Sequence, residues 1–565
     1  MRRKRVLTGL VLAAVASIGA CDMPAVQAPA GLSTERPNIL LIVVDDMAFS
    51  DLGSFGGEIP TPNLDRLAYA GIRFTNFHGA PMCSPSRAML LTGVDSHPAG
   101  FGNMLEELSP NQKGQPGYDG YLHERVVTFP ELLRDAGYRN YLSGKWHLGS
   151  GDIAGPPARG FERSFGLNSG GASHFSDMRP AYAPSPEIKA SYFEDGVKLT
   201  ELPPEFEYST QFYVDKMIEY LGDHRSQQQP FFAYLSFTAP HWPIQAPDAA
   251  IARQAGRYDD GFDMLAEQRL ARAKELGLIP QDAGRAGRSP KEMPFAELGE
   301  EQRKIEIRAM EVYAAMIDEV DVHTGRLIDF MTSRGLLDNT IIFFMSDNGA
   351  EGHDLDETWP MEAFPDIRKT IDTTHDFSVE NIGRLASYTL LGPNWANAGA
   401  PSFKLYKGFP TEGGTHVSAF AYYPRMITAP AISNDFVFIK DVAPTILELA
   451  GVEHPGDEYD GRPVEQMTGI SFLSLLEGKG PTAPDRVTGI ELLGKRTIRS
   501  GNWKLVHMPE PYGIDDWQLF NVKDDISESR DLSARYPQKV AELKAHWDAY
   551  AERNKVIIPD WVSGY

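Results

Sequence analysis

The sequence predicts an α/β fold built on a buried parallel sheet, with antiparallel strands and a helix following it. Three observations carry this. The runs Asn38–Val44, Pro230–Thr238 and Thr340–Met345 are continuously apolar and rich in branched or aromatic residues. Such runs lack the alternation of a half-exposed strand and suit a sheet covered on both faces. Each run is followed at once by polar residues, Asp45-Asp46, His241 and Asp347-Asn348. A doubly wound sheet places its chemistry outside the carboxyl ends of its strands. Finally, Val487–His507 and Trp517–Phe520 read as antiparallel strands, and Pro537–Tyr550 as a closing helix.

The bulk properties agree with a folded enzyme-sized chain. It has 565 residues, 42% hydrophobic and 10% aromatic, enough for two or more domains with a large core. The formal net charge of −23 excludes a general nucleic-acid binder, which needs a basic footprint. A local cationic pocket remains compatible with that charge.

In chain order, Met1–Cys21 reads as a signal peptide. Arg2, Arg3, Lys4 and Arg5 form a positive head, and Val6–Ala20 is apolar but too short to span a bilayer. Ile18-Gly19-Ala20-Cys21 resembles a bacterial lipobox, which makes Cys21 a lipidated mature N-terminus and the protein periplasmic or at the cell surface. An ordinary secretory signal cleaved nearby is the other reading. Residues 22–35, rich in Ala and Pro, form a tether. The two cysteines, Cys21 and Cys83, have separate explanations, so no structural disulfide is expected.

After the first strand, Asp45-Asp46 offers paired carboxylates suited to a hard divalent cation. Cys83 opens PMCSPSRAMLLTG, Pro81 to Gly93. Thr128–Ala136 reads as a short amphipathic helix with Leu132 and Leu133 on one face. Tyr138–Ser143 is a strand leading into Gly144-Lys145-Trp146-His147-Leu148-Gly149, where Lys145 and His147 share a side if the backbone stays extended. His241 follows the next strand, between two prolines that imply a turn. Ala250–Arg303 is charged, broken by Gly and Pro, and reads as an insertion forming a lid. Ile305–Phe330 is a long helix whose Tyr313, Met316, Ile317 and Val320 form a packing stripe. Ser346-Asp347-Asn348-Gly349 closes the fourth strand, and Ile439–Gly451 is a helix ended by glycine.

The segment from Cys83 resembles the sulfatase signature C-x-P-x-R-x-x-x-L-T-G at every fixed position. Asp45 to Gly53 with Thr61 to Asp65, the G-K-W-H-x-G segment and the Lys407…Glu412-Gly413-Gly414 spacing resemble the same family, closest to the bacterial arylsulfatases of the alkaline phosphatase superfamily. The resemblance covers nearly all of the mature chain. It implies a mixed, mostly parallel sheet between helices over residues 36–475, and a smaller C-terminal α+β domain with an antiparallel sheet over 476–565. It implies hydrolysis of sulfate monoesters, aryl sulfates in particular, to an alcohol or phenol and inorganic sulfate. It further implies conversion of Cys83 to formylglycine by a maturation enzyme, and one divalent cation, Ca2+ or else Mg2+, held by Asp45, Asp46, Asp347, Asn348 and the hydrated residue 83. Lys145 and Lys407 would clamp sulfate oxygens, with Lys404 a poorer alternative to Lys407. Arg87 would hold the nucleophile loop, His241 would protonate the leaving group, and His147 would release the sulfate. The chain is expected to be a monomer that meets membrane only through its lipid anchor.

Other readings share these residues. The superfamily includes phosphonate monoester and phosphodiester hydrolases with a C-x-P-x-R signature. A phosphatase using an unmodified Cys83 would put a soft thiolate beside a hard cation. A non-catalytic lipoprotein binding sulfated glycans would have no need of the nucleophile. Substrate specificity is expected in Gly170–Asp177 and Ala250–Arg303.

Overall fold

The structure, a computed structural model, describes residues 36–224, 229–354 and 365–561. The predicted signal peptide, the lipobox Cys21 and the tether lie outside the described residues. From Pro37 onward the chain forms one compact unit.

Its centre is a large mixed sheet. Five strands form the parallel middle: β1 (Asn38–Val44), β3 (Arg139–Lys145), β4 (Arg163–Leu167), β7 (Phe231–Ser236) and β8 (Thr340–Ser346). They lie in the order β8-β1-β7-β3-β4, every pair parallel. On one flank β9 (His416–Tyr422) runs antiparallel to both β8 and β2 (Ile72–His78). On the other flank β5 (Tyr192–Glu194) and β6 (Val197–Lys198) add antiparallel edges.

The apolar runs become strands because both faces are covered. In β1, Leu40, Ile42 and Val44 join one core, while Ile39, Leu41 and Val43 join the core on the opposite face. In β8, Ile342 and Phe344 divide from Ile341, Phe343 and Met345 in the same way. The helix expected over residues 305–330 extends over Glu300–Ser333 and fills the first core with Tyr313, Met316, Ile317 and Val320. The predicted helix around Leu132 is Phe129–Asp135, started by a capping box between Thr128 and Glu131. Gly451 ends helix Val442–Ala450 at φ 63°.

Residues 250–303 do not form a lid. Helix Gly261–Glu275 sends Phe262 and Ala266 into the first core, and its buried Arg269 donates to Asp51 Oδ1 at 2.7 Å and to Glu58 Oε2 at 2.8 Å. A charged sequence on its outer face conceals an inner face committed to packing.

The C-terminal residues build a separate antiparallel sheet: β14 (Val487–Leu492), β15 (Lys495–Ser500), β16 (Trp503–His507) and β17 (Trp517–Asn521). Helix Pro537–Asn554 packs on it through Leu543, Trp547 and Tyr550, against Ile498, Leu505 and Leu519. No helix among the described residues is long and apolar enough to cross a membrane.

Candidate active site

The polar residues that follow β1, β3, β7 and β8 meet at one edge of the sheet, because parallel strands present their carboxyl ends together. Asp45 and Asp46 leave β1, Lys145 ends β3, Ser236 ends β7, and Asp347 and Asn348 leave β8. Cys83 is the first residue of helix Cys83–Thr92, which is buried along its whole length. The helix amino terminus favours negative charge at that position. Ser86 fixes the helix by donating to the Asp347 carbonyl at 2.7 Å and accepting from the Ala80 amide at 2.8 Å.

Ligand atoms of Asp45, Asp46, Cys83 and Asp347 all lie within 4.8 Å of one another. Cys83 Sγ is 3.9 Å from Asp46 Oδ1. Asp46 stands at φ 69°, where the chain turns out of β1 and directs successive carboxylates into one volume. Three cations face them. Lys145 Nζ donates to Asp45 Oδ2 at 2.5 Å, and Lys407 Nζ to Asp46 Oδ2 at 2.8 Å. Arg87 Nε donates to Asp347 Oδ2 at 2.9 Å, and its other nitrogens reach Ser236 Oγ at 2.5 Å and Asp45 Oδ1 at 3.6 Å. Arg87 thus ties helix Cys83–Thr92 to three strand ends. Lys404 instead lies over the Phe520 ring, so Lys407 is the lysine of this cluster.

The donor set fits a hard cation. It offers carboxylate and amide oxygens in a buried volume. Among the described residues, Asp45 Oδ1 and Asn348 Oδ1 are buried and accept no hydrogen bond. Burial pushes Asp46 up to about 7, with Asp45 and Glu351 adding to it against Lys407. Burial also raises Asp347 to about 6, with Asp45 adding against Arg87. Burial works to raise Asp45 as well, but Lys145, His241 and Arg87 outweigh it and hold it below the usual range. Carboxylates crowded in this way ionise together only with further positive charge. For Cys83, burial and then Asp45 push the thiol well above its ordinary value, so a thiolate is disfavoured.

The two predicted histidines sit on either side of Gly170-Gly171. His241 Nε2 is 3.7 Å from Asp46 Oδ2, and its Nδ1 faces the Trp242 carbonyl at 2.5 Å. Burial, then Lys407 and Lys145, work to lower its pKa below the ordinary value, and Asp45 opposes them. His147 does not continue the strand. It stands at φ 54°, so the alternation expected with Lys145 is broken by a left-handed turn, while Trp146 is buried between them. A Cβ on Gly170 would lie 3.0 Å from His147 Cε1, and one on Gly171 2.7 Å from His241 Cε1. Only glycine permits this approach.

A cavity of about 440 Å³ opens beside His147 and Ser84, lined by Phe101, Leu105, Tyr182 and Ile188 with Glu106 and Asn168. Sequence reasoning missed Glu106, Ser236 and Glu351. Glu351 Oε2 lies 3.2 Å from Lys407 Nζ and accepts from Trp242 Nε1 at 3.2 Å. The only signal for it was its place in the loop after Asp347-Asn348.

Fold and site together define a hydrolase of the alkaline phosphatase superfamily. The chain belongs to the sulfatase family: the family model described as Sulfatase matches residues 37–452. An uncharacterized sulfatase of Schizosaccharomyces pombe is 41% identical over 542 residues, 93% of this chain and 96% of that protein. An arylsulfatase of Klebsiella aerogenes is 37% identical over 453 residues, 79% of this chain and 93% of that one. The crystal structure of Ps i-CgsB in complex with k-i-k-neocarrahexaose shares the fold with a TM-score of 0.64 at 23% identity, covering 94% of this chain and 95% of that one. The reaction is therefore hydrolysis of sulfate esters.

Proposed function

We propose that this sulfatase cleaves aryl sulfate monoesters with formylglycine, formed from Cys83 by a maturation enzyme, as its nucleophile. The observation that carries the reading is the placement of Cys83 at a buried helix amino terminus, within 4.8 Å of the oxygens of Asp45, Asp46 and Asp347. An unmodified thiol there is held protonated, whereas an aldehyde hydrate supplies hard oxygens to the same space. Similarity to the Klebsiella arylsulfatase and the apolar lining of the cavity support an aromatic leaving group.

Asp45, Asp46, Asp347 and Asn348 would hold a hard divalent cation, Ca2+ or Mg2+, with an oxygen of residue 83. When bound it supplies positive charge to the sulfate oxygens and to the nucleophile. Lys145 and Lys407 lie beside the same volume and add charge that the transition state uses. One hydroxyl of hydrated residue 83 attacks sulfur and gives its proton to Asp46, whose Oδ1 lies 3.9 Å from Cys83 Sγ, and the sulfur–oxygen bond to the leaving group breaks. His241 delivers a proton to that leaving oxygen. His147 then takes the proton of the remaining hydroxyl, the carbon–oxygen bond to sulfate breaks, and the aldehyde returns.

Mass analysis of the peptide containing residue 83 tests the nucleophile. Conversion makes it lighter than the thiol form by about 18 Da and reactive toward hydrazides. A wholly thiol peptide in active enzyme from the native host overturns the reading. Turnover of aryl sulfate against aryl phosphodiester tests the reaction, and aryl sulfate is expected to dominate. For location, we propose export and lipid anchoring through Cys21. Palmitate labelling lost in Cys21→Ser supports this, and labelling retained rejects it.

A further inference from the structure

Glu106 lies in the turn Leu105–Glu107, between the nucleophile helix and the strand that carries Lys145. The turn is fixed from within: Asn103 Nδ2 donates to the Glu107 carbonyl at 2.7 Å, and the Met104 amide donates to Asn103 Oδ1 at 2.8 Å. Glu106 Oε1 meets His147 Nε2 at 3.1 Å and also accepts from the Tyr182 hydroxyl. The opposite ring nitrogen, His147 Nδ1, is buried and has no hydrogen-bond partner. Gly170 lies against the ring edge, where a Cβ would stand 3.0 Å from His147 Cε1.

We propose that Glu106 is the positioning residue of a Glu106–His147 dyad, with Tyr182 as its second donor, that fixes His147 as the proton acceptor of the sulfate-release step. A carboxylate on one ring nitrogen decides which tautomer exists. With Nε2–H donating to Glu106, the lone pair is on Nδ1, and that nitrogen is the base. When Nδ1 takes the hydroxyl proton of sulfated residue 83, the O–H electron pair forms the C=O bond. The C–O electrons leave with sulfate, and the imidazolium that remains lies against a carboxylate. Nδ1 later returns its proton to solvent. Glu106 is held down at about 2: burial opposes its ionisation, but His147 and Tyr182 outweigh that cost. It is therefore charged throughout the working range. His147 itself is lowered by burial and by Lys145 and Arg87, with Glu106 the group that opposes them. It is thus neutral and ready to accept a proton.

Tyr182 also lines the cavity and lies 6.0 Å from the Trp242 ring, beside His241. The dyad's second donor therefore belongs to the wall that the leaving group touches.

The inference rests on the proposed release step, and the test separates the two. Nitrogen-15 NMR of His147 in the wild-type enzyme is expected to show the Nε2–H tautomer. The Nδ1–H tautomer overturns the dyad and needs no variant. In Glu106→Gln, kcat is expected to fall roughly 10²-fold and KM with it, leaving kcat/KM nearly unchanged. The enzyme should then release a burst of phenol before a slow phase, with sulfate retained on residue 83 by mass analysis. Because the carboxylate raises the His147 pKa, its removal should move the acid limb of the kcat profile to lower pH. Glu106→Asp should recover part of the rate. An unmoved acid limb with no burst in a folded Glu106→Gln overturns the positioning role. Failure of any variant or wild-type enzyme to carry sulfate on residue 83, even in rapid quench, overturns the release step itself.

Discussion

Two buried clusters of acidic and histidine side chains lie at different borders of the same sheet, and they differ in what they leave unmet. One is the strand-end cluster of Asp45, Asp46, Asp347 and Cys83. The other is His78, Glu412 and His416, where β2 and β9 meet the C-terminal sheet. Ligand-type atoms converge in both. In the second, His78 Nδ1 meets Thr415 Oγ1 at 3.3 Å and Nε2 meets Asn76 Oδ1 at 2.9 Å. His416 Nδ1 meets Glu412 Oε2 at 3.0 Å and Nε2 meets the Thr75 carbonyl at 2.7 Å. Lys504 Nζ, from β16, neutralises Glu412 at 2.7 Å and Glu528 at 3.0 Å. Arg499, from β15, closes on His78 at 3.2 Å. The first cluster instead keeps buried oxygens without donors, and His147 keeps an open nitrogen. Convergence of ligand atoms therefore does not distinguish a site from a latch. Unmet bonding capacity does.

The sharpest break in this comparison would come from Asp347→Ala and Glu412→Ala. The first is expected to lose cation binding and about 10³-fold or more in turnover, because a charged ligand and the partner of Arg87 go together. The second is expected to retain cation stoichiometry. Calorimetric Ca2+ titration and turnover of both variants check this, and loss of cation by Glu412→Ala alone would reverse the assignment.

The histidines sharpen it next. His241→Ala is expected to slow alkyl sulfates roughly 10²–10⁴-fold and nitrophenyl sulfate far less, since an activated phenolate leaves without a proton. His147→Ala is expected to slow all leaving groups toward one rate, with a burst of phenol. Pre-steady-state kinetics over substituted phenyl sulfates reads both. A steep leaving-group dependence in His147→Ala with a flat one in His241→Ala would exchange their roles.

For the latch, the expected effect of Glu412→Ala is on stability. Removing the carboxylate leaves Lys504 with Glu528 alone and takes the Nδ1 partner from His416, a loss of about 1–3 kcal/mol for buried polar groups left short of a partner. Denaturant unfolding of the cation-saturated enzyme measures it, and an unchanged midpoint would dismiss the latch.

The smallest effect is on pH dependence. Burial, with His416 and Arg499 assisting against Glu412, holds His78 well below its ordinary 6.5, so the folded state keeps it neutral. The unfolded chain binds the extra proton, so this stability is fully present above pH 6.5 and is lost as pH falls below it. His78→Gln is expected to flatten that fall by about 1 kcal/mol over the first pH unit. Unfolding midpoints of both proteins across that interval test it, and parallel curves would refute it.

Much of the strand-end cluster was legible in the sequence because strand ends are local. Asp45-Asp46 and Asp347-Asn348 follow apolar runs that can only be buried, and His241 follows a run of the same kind. The helix beginning near Thr128 and the glycine stop at Gly451 were equally local. The lid expected at 250–303 failed because Arg269 finds Asp51 and Glu58 about two hundred residues away, and charge in a sequence reads as solvent exposure until its partner is known. Glu106 and Glu351 went unread for a similar reason: nothing beside them in the chain marks them, and their meaning comes from His147 and Lys407.

The sequence by itself determined which residues end the buried strands and that a helix stops at Gly451, because apolar periodicity and turn chemistry act over a few residues. Tertiary structure alone decided that Arg87 would tie Asp347, Asp45 and Ser236 together, that His147 would set Nε2 against Glu106 and leave Nδ1 open, and that His78 and His416 would be fully bonded. These are long-range pairings. Whether a buried polar atom is satisfied depends on which distant donors the closed fold brings within about 3 Å, and no local pattern encodes that distance.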